Sequence, residues 1–149
     1  MRDPIRLYRE SAVRGASPVG LIVILYDEVL LCIRRAQRAL EMNNIESRAL
    51  ELSHAIRIIG HLQSVLDFQA GGEVARNISR FYDIARAKAL EANLQSSPVI
   101  LQWLSTEFSE HLLAWKQVDR AVSHSEGDLV LAGRSPESEE IYRHPRPAA

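Results

Sequence analysis

Cysteine is almost absent: Cys32 is the only one, so no disulfide can form within the chain. Long apolar runs are missing too. The stretch at 21–33 is interrupted by Asp27 and Glu28 and falls short of the roughly 20 residues that a membrane span needs. Net charge is close to nil, with 18 basic against 19 acidic side chains, so nothing pulls the chain toward nucleic acid. The first 16 residues are charged and lack the apolar core of a signal peptide. A cytoplasmic (cytosol) protein is expected. No phosphate-binding glycine loop occurs, since Gly71-Gly72 is too short and sits at a helix end, and there is no internal repeat. With 46% apolar and 25% charged residues in 149, one globular domain with a true core is the natural reading.

What the sequence does have is helical period. Ser17-Pro18 starts the first helix, the serine as cap and the proline at the first helical position. Leu21, Ile22, Leu25, Val29, Cys32, Ile33, Ala36 and Leu40 then share one face. Ile24 and Leu31 flank that stripe on one side, and Val23, Tyr26 and Leu30 on the other, so neighbours must cover this helix on several sides. A second helix is expected from Ile45 to about Phe68, its core face Ile45, Ala49, Leu52, Ile56, Ile59 and Leu66, with Gly60 allowing a close backbone approach. Gly71-Gly72 should end it. The third, to about Leu94, turns Val74, Ile78, Phe81, Tyr82, Ala85, Ala89 and Ala92 inward. Ser97-Pro98 opens the fourth, which carries Leu101, Leu104, Phe108, Leu112, Trp115 and Val122 inward and Val99, Trp103 and Leu113 outward. The chain therefore reads as all-α: a short N-terminal arm (1–16), an antiparallel up-down four-helix bundle (17–123) and a mobile tail (124–149).

Reactive groups are sparse. A di-iron bundle needs two Glu-x-x-His motifs facing inward, and Glu51-Leu52-Ser53-His54 is the single copy. His54 falls off the core stripe, so no metal site and no cofactor are expected. Cys32 has no histidine within helical reach, which disfavours a thiol nucleophile. His111, beside Glu107 and Glu110, reads as a packed histidine, and Arg34, Arg35 and Arg38 as solvated charges near a helix end. An enzyme is not expected, and no catalytic residue is assigned.

The anomaly is surplus apolar surface, on Ile58, Leu62, Val65, Trp103 and Leu113. A partner protein or a second copy of the chain could cover it, so a homodimeric structural bundle, or an adaptor for another protein, is one reading of this surface.

The order of signals along the chain resembles a known family. Tyr8 and Val13 precede Ala16-Ser17-Pro18, followed by Leu21, Leu25-Tyr26-Asp27, Ile58-Ile59, Leu62 and Leu66-Asp67. Gly71-Gly72 with Ala75, Asn77 and Ile78 comes next, then Tyr82-Asp83, Leu90, Ala92-Asn93 and Trp115. Over about residues 8–117 this is similar to the flagellar secretion chaperones, the FliS family, although Glu28-Val29 stands where members often have Gly-Ala. The resemblance implies a non-enzymatic export chaperone that binds the disordered C-terminal region of flagellin. It would block premature polymerisation and support delivery to the type III export gate, a membrane protein, without itself entering the membrane. The client-binding residues expected on this reading are Tyr8, Val13, Leu21, Ile24, Tyr26, Ile58, Leu62, Val65, Trp103 and Leu113. The arm would act as a displaceable cover over Leu21, Ile24 and Tyr26.

Overall fold

The computed structural model describes Arg6 and residues 17–131, with side chains as far as residue 122. Among the described residues there are four helices and no strand: α1 (Pro18–Glu41), α2 (Ile45–Ser64), α3 (Phe68–Gln95) and α4 (Pro98–Leu131). The remainder of the arm and of the tail lies outside them. α4 runs on to Leu131, past Val122 where the apolar pattern stops.

Each helix packs on the next in sequence, and α1 packs on α4 to close the ring. Polar contacts fix the antiparallel sense. Ser17 Oγ, at the start of α1, donates to Asp119 Oδ1 late in α4 at 3.1 Å, while Gln37 late in α1 donates to Gln102 early in α4 at 3.4 Å. Arg48, buried at the start of α2, donates from Nε to Asn93 Oδ1 and from Nη2 to the Asn93 carbonyl, at 3.2 and 3.1 Å. Near the other end of α2, Gln63 Nε2 donates to Ser79 Oγ and Asp83 Oδ1 on α3, both at 2.9 Å. The arrangement is the expected up-down bundle.

Local signals explain the helix ends. Ser17 accepts the Gly20 N–H at 3.0 Å and Asn44 the Ser47 N–H at 3.1 Å, the side-chain caps that a helix start wants. The second boundary differs from expectation. α2 stops at Ser64 rather than Phe68, because Asp67 accepts the N–H groups of Gln69 and Ala70, both at 3.0 Å, and so begins α3. The glycine pair then lies inside α3. Gly72, at φ 52° and ψ −127°, kinks the helix in a conformation open to glycine and strained for other residues. Gly60 needs no close approach: a Cβ there would meet only Arg86 Nη1 at 3.7 Å, an ordinary contact.

The core is centred on α1. Leu25, Tyr26, Val29, Ile33 and Ala36 are fully shut from solvent, and Leu30 joins them. On α2 the buried face is Leu52, Ala55, Ile58, Ile59 and Leu62, whereas Ile45 is exposed and Ile56 and Leu66 are only partly covered. The buried stripe is thus rotated from the expected one, because α2 is covered by both α1 and α3. On α3, Ala85, Ala89 and Ala92 are covered by the bundle itself, and Val74 is exposed. Leu101, Leu104, Phe108 and Leu112 of α4 close the core, with Trp115 packed against it and Val122 exposed.

At its centre the Tyr26 and Tyr82 hydroxyls stand 2.8 Å apart. Around them Tyr26 packs on Phe108 with ring centroids 5.5 Å apart, and Phe108 on Phe81 at 5.2 Å. Tilted aromatic pairs of this kind add about 0.5–1.5 kcal/mol beyond the area they bury.

Two outcomes follow. Tyr26→Phe strands the buried Tyr82 hydroxyl and should cost about 1–3 kcal/mol in urea unfolding. Tyr82→Phe strands the Tyr26 hydroxyl in the same way and should cost a similar amount, and the double variant should cost less than the sum of the singles. Strict additivity would show that the hydroxyls do not interact. Gly72→Ala should cost about 1–3 kcal/mol through backbone strain alone, because a Cβ there meets nothing within 4 Å; an unchanged midpoint would mean that the kink relaxes freely.

Candidate functional site

Exposed apolar side chains occur at one end of the bundle, where the α1–α2 and α3–α4 turns lie side by side. Leu94 is 85% exposed, Val99 77%, Met42 71% and Ile45 66%. Single exposed apolar residues are ordinary; these four lie around one end, while Val65, Phe68 and Val74 are exposed near the α2–α3 turn. Two depressions adjoin the first four. Gln37, Leu40, Glu41, Ser96, Pro98 and Gln102 line an open cleft of about 580 Å³ between the end of α1 and the α3–α4 turn. Lys88 of α3 with Val99, Ile100 and Trp103 of α4 lines a smaller apolar one of about 230 Å³.

Helical spacing places the side chains of that smaller groove. Val99 and Trp103 are four residues apart and so stack on one face, opposite to Leu101, Leu104 and Phe108, which are buried. Leu113 continues the outer stripe about 15 Å further along and is exposed. Lys88 is tied to Glu91 Oε2 at 3.2 Å, so the groove wall carries no net charge from that pair, and its stem adds apolar lining.

The residues expected to bind a client are divided by the structure. Val65, Trp103 and Leu113 are exposed and Ile24 is half-buried. Leu21, Tyr26, Ile58 and Leu62 are core residues, not groove residues, because α1 and α2 each press two faces against neighbouring helices. Tyr8 and Val13 lie outside the described residues. Sequence reading missed Met42, Ile45 and Leu94 as surface features, and the signal that marks them is position next to a turn.

The residues weighed for chemistry are also placed. His111 stacks on Phe81 with centroids 4.0 Å apart, and burial holds its ring below the usual histidine range against the pull of Glu107 and Glu110. Arg34, Arg35 and Arg38 are exposed. Glu28, one of the two charges that interrupt the apolar run of α1, is buried. Cys32, by contrast with the sequence reading, does have a histidine in reach: across the α1–α2 seam the ligand atoms of Cys32, Glu51 and His54 all lie within 4.8 Å of one another.

The profile of the family described as flagellar protein FliS matches residues 1–122. The chain belongs to the FliS family. A flagellar secretion chaperone FliS of Salmonella typhimurium is 36% identical over 118 residues, covering 78% of this chain and 87% of the relative. The chaperone named FliSB of Pseudomonas aeruginosa is 33% identical over 106 residues, 71% of this chain and 84% of its own. That of Bacillus subtilis is 26% identical over 133 residues, 87% and 98%. Several positions that carry the FliS resemblance, namely Tyr26, Ile58, Ile59, Leu62 and Tyr82, are buried at the centre of the bundle. In this chain they mark the FliS scaffold; its exposed surface is made by other residues.

Burial first, then the Glu51 and Glu28 carboxylates, pushes the Cys32 thiol from 9.0 up to about 12, with Arg35 opposing. The unfolded chain gives up this proton near pH 9 while the folded chain keeps it, so the thiol's contribution to stability is lost as pH rises from 9 to 12. Tyr26 and Tyr82, both raised above 10.0 by burial, add to the loss above that pH. Urea midpoints should fall across this window, and the early part of the fall should be shallower in Cys32→Ala. Identical profiles for the two proteins would rule out a buried titrating thiol.

Proposed function

We propose that this chain is a cytoplasmic flagellin export chaperone, which covers the disordered C-terminal region of flagellin, prevents premature polymerisation and supports delivery to the flagellar type III export gate. Membership of the FliS family carries the reading, with relatives named flagellar secretion chaperones. It works by binding, with no turnover and no cofactor. Among the described residues no helix is long and apolar enough to cross a membrane, which suits a partner that meets the export gate from outside the bilayer.

The mechanism is a helix laid into a groove: an amphipathic client segment presents spaced apolar anchors to depressions between helices. Ordering a disordered segment costs about 2–5 kcal/mol or more, so contacts must be spread widely. The depression at Val99 and Trp103 supplies a central anchor, with Leu113 further along α4 and Val65 as a separate contact. Ile24 lies on the flank of α1 that the N-terminal arm is proposed to cover, with Tyr8 and Val13 as the covering side chains. The buried Leu21, Tyr26, Ile58 and Leu62 act by shaping the scaffold.

Trp103→Ala should weaken binding of a flagellin C-terminal segment, measured by calorimetry, by about 30-fold, as expected for an aromatic anchor. Leu113→Ala should weaken it less, and neither should lower the melting temperature much. Absence of any binding heat with the wild-type protein and the segment in excess would refute the client. A native mass that stays dimeric on dilution, with no affinity for flagellin, would favour the homodimeric bundle instead.

A further inference from the structure

The seam between α1 and α2 brings together three side chains of ligating type. Cys32 comes from α1, and Glu51 and His54, three residues apart and therefore neighbours on one helix face, come from α2. One ligand atom from each lies within 4.8 Å of the others. Glu28, one turn before Cys32, sets a further buried carboxylate near the same thiol. One atom in this group is unsatisfied: Glu51 Oε2 is shut from solvent and has no hydrogen-bond partner among the described residues. A buried acceptor without a donor is costly, and a cation seated beside it would remove that cost. Helical bundles build metal sites in this way, from side chains on facing helices.

We propose that Cys32, Glu51 and His54 form a binding site for a zinc-type divalent ion that clamps α1 to α2. Sulfur, imidazole and carboxylate together select a borderline-soft ion such as Zn²⁺ over Mg²⁺ or Ca²⁺, which prefer all-oxygen sites. Ligand atoms around tetrahedral zinc stand about 3.5 Å apart, so side-chain rotation alone can draw these three inward. On binding, the Cys32 S–H bond breaks, its proton passes to solvent and a sulfur–metal bond forms. Thiolate and carboxylate then cancel the two charges of the ion, which suits a seam where Cys32 is buried and Glu51 and His54 are half-covered. A fourth position remains for water or for Glu28. The site is structural, and it stands independently of the chaperone reading.

The test uses the full chain, stripped with a chelator and titrated with Co²⁺ alone, then with Zn²⁺. One Co²⁺ per chain should bind with a thiolate-to-cobalt charge-transfer band in the near ultraviolet, and Zn²⁺ should bleach it and raise the melting temperature by several degrees. Because Cys32 is the only cysteine, that band can come from no other residue. Cys32→Ala should abolish it, and His54→Ala, which alters only a half-covered side chain, should weaken Co²⁺ binding about tenfold or more. Far-ultraviolet helicity checks that each variant is folded. Cobalt bound without the band marks histidines elsewhere and overturns the site, as does a band that His54→Ala and Glu51→Gln both leave at full affinity.

Discussion

Tyr26 and Tyr82 meet across the diagonal of the bundle, and the spacing of the four helices depends on that contact. The backbones of α1 and α3 do not touch, so only side chains long enough to cross the core can join them. Two phenols end to end do this, and each hydroxyl, shut from water, finds its partner in the other. Large residues spanning one layer call for small ones in the next. Ala85, Ala89 and Ala92 on α3, all buried, fill that role, and Phe81 and Phe108 wedge the gap between α3 and α4.

Much of this was legible because α1 announces itself. A capping serine, a proline at the first turn and a sustained apolar period place its start at Ser17 and its buried face on Leu25, Val29, Ile33 and Ala36. α2 was harder. Its apolar residues cover more than one face, and a single periodic template selected the strip from Ile45 to Leu66, of which Leu52 and Ile59 are buried, while two neighbouring helices also cover Ala55, Ile58 and Leu62. Period reports how much surface is apolar, and neighbours decide which part is covered. The α2–α3 boundary was misplaced for a local reason: the glycine pair is the louder signal, but the Asp67 carboxylate captures two N–H groups four residues earlier.

The candidate surface was legible to the extent that it follows α4. Val99, Trp103 and Leu113 lie opposite a well-defined core stripe, and they are exposed. Met42, Ile45 and Leu94 could not be found in that way, since residues beside a turn keep the period while the neighbouring helix has already ended. Contacts between helices were out of reach altogether. Nothing in the spacing of Cys32 from Glu51 and His54 says that they converge, because only the pairing of α1 with α2 brings them together.

The hydroxyl of Ser17 has two obligations. It accepts the Gly20 N–H that starts α1 and donates to Asp119 on α4. As local caps, serine and aspartate are close to interchangeable. At this position they are not, because an aspartate would cap α1 as well but would set its carboxylate against that of Asp119. A tertiary contact thus edits a local rule, and the residue that opens the first helix is selected in part by the last.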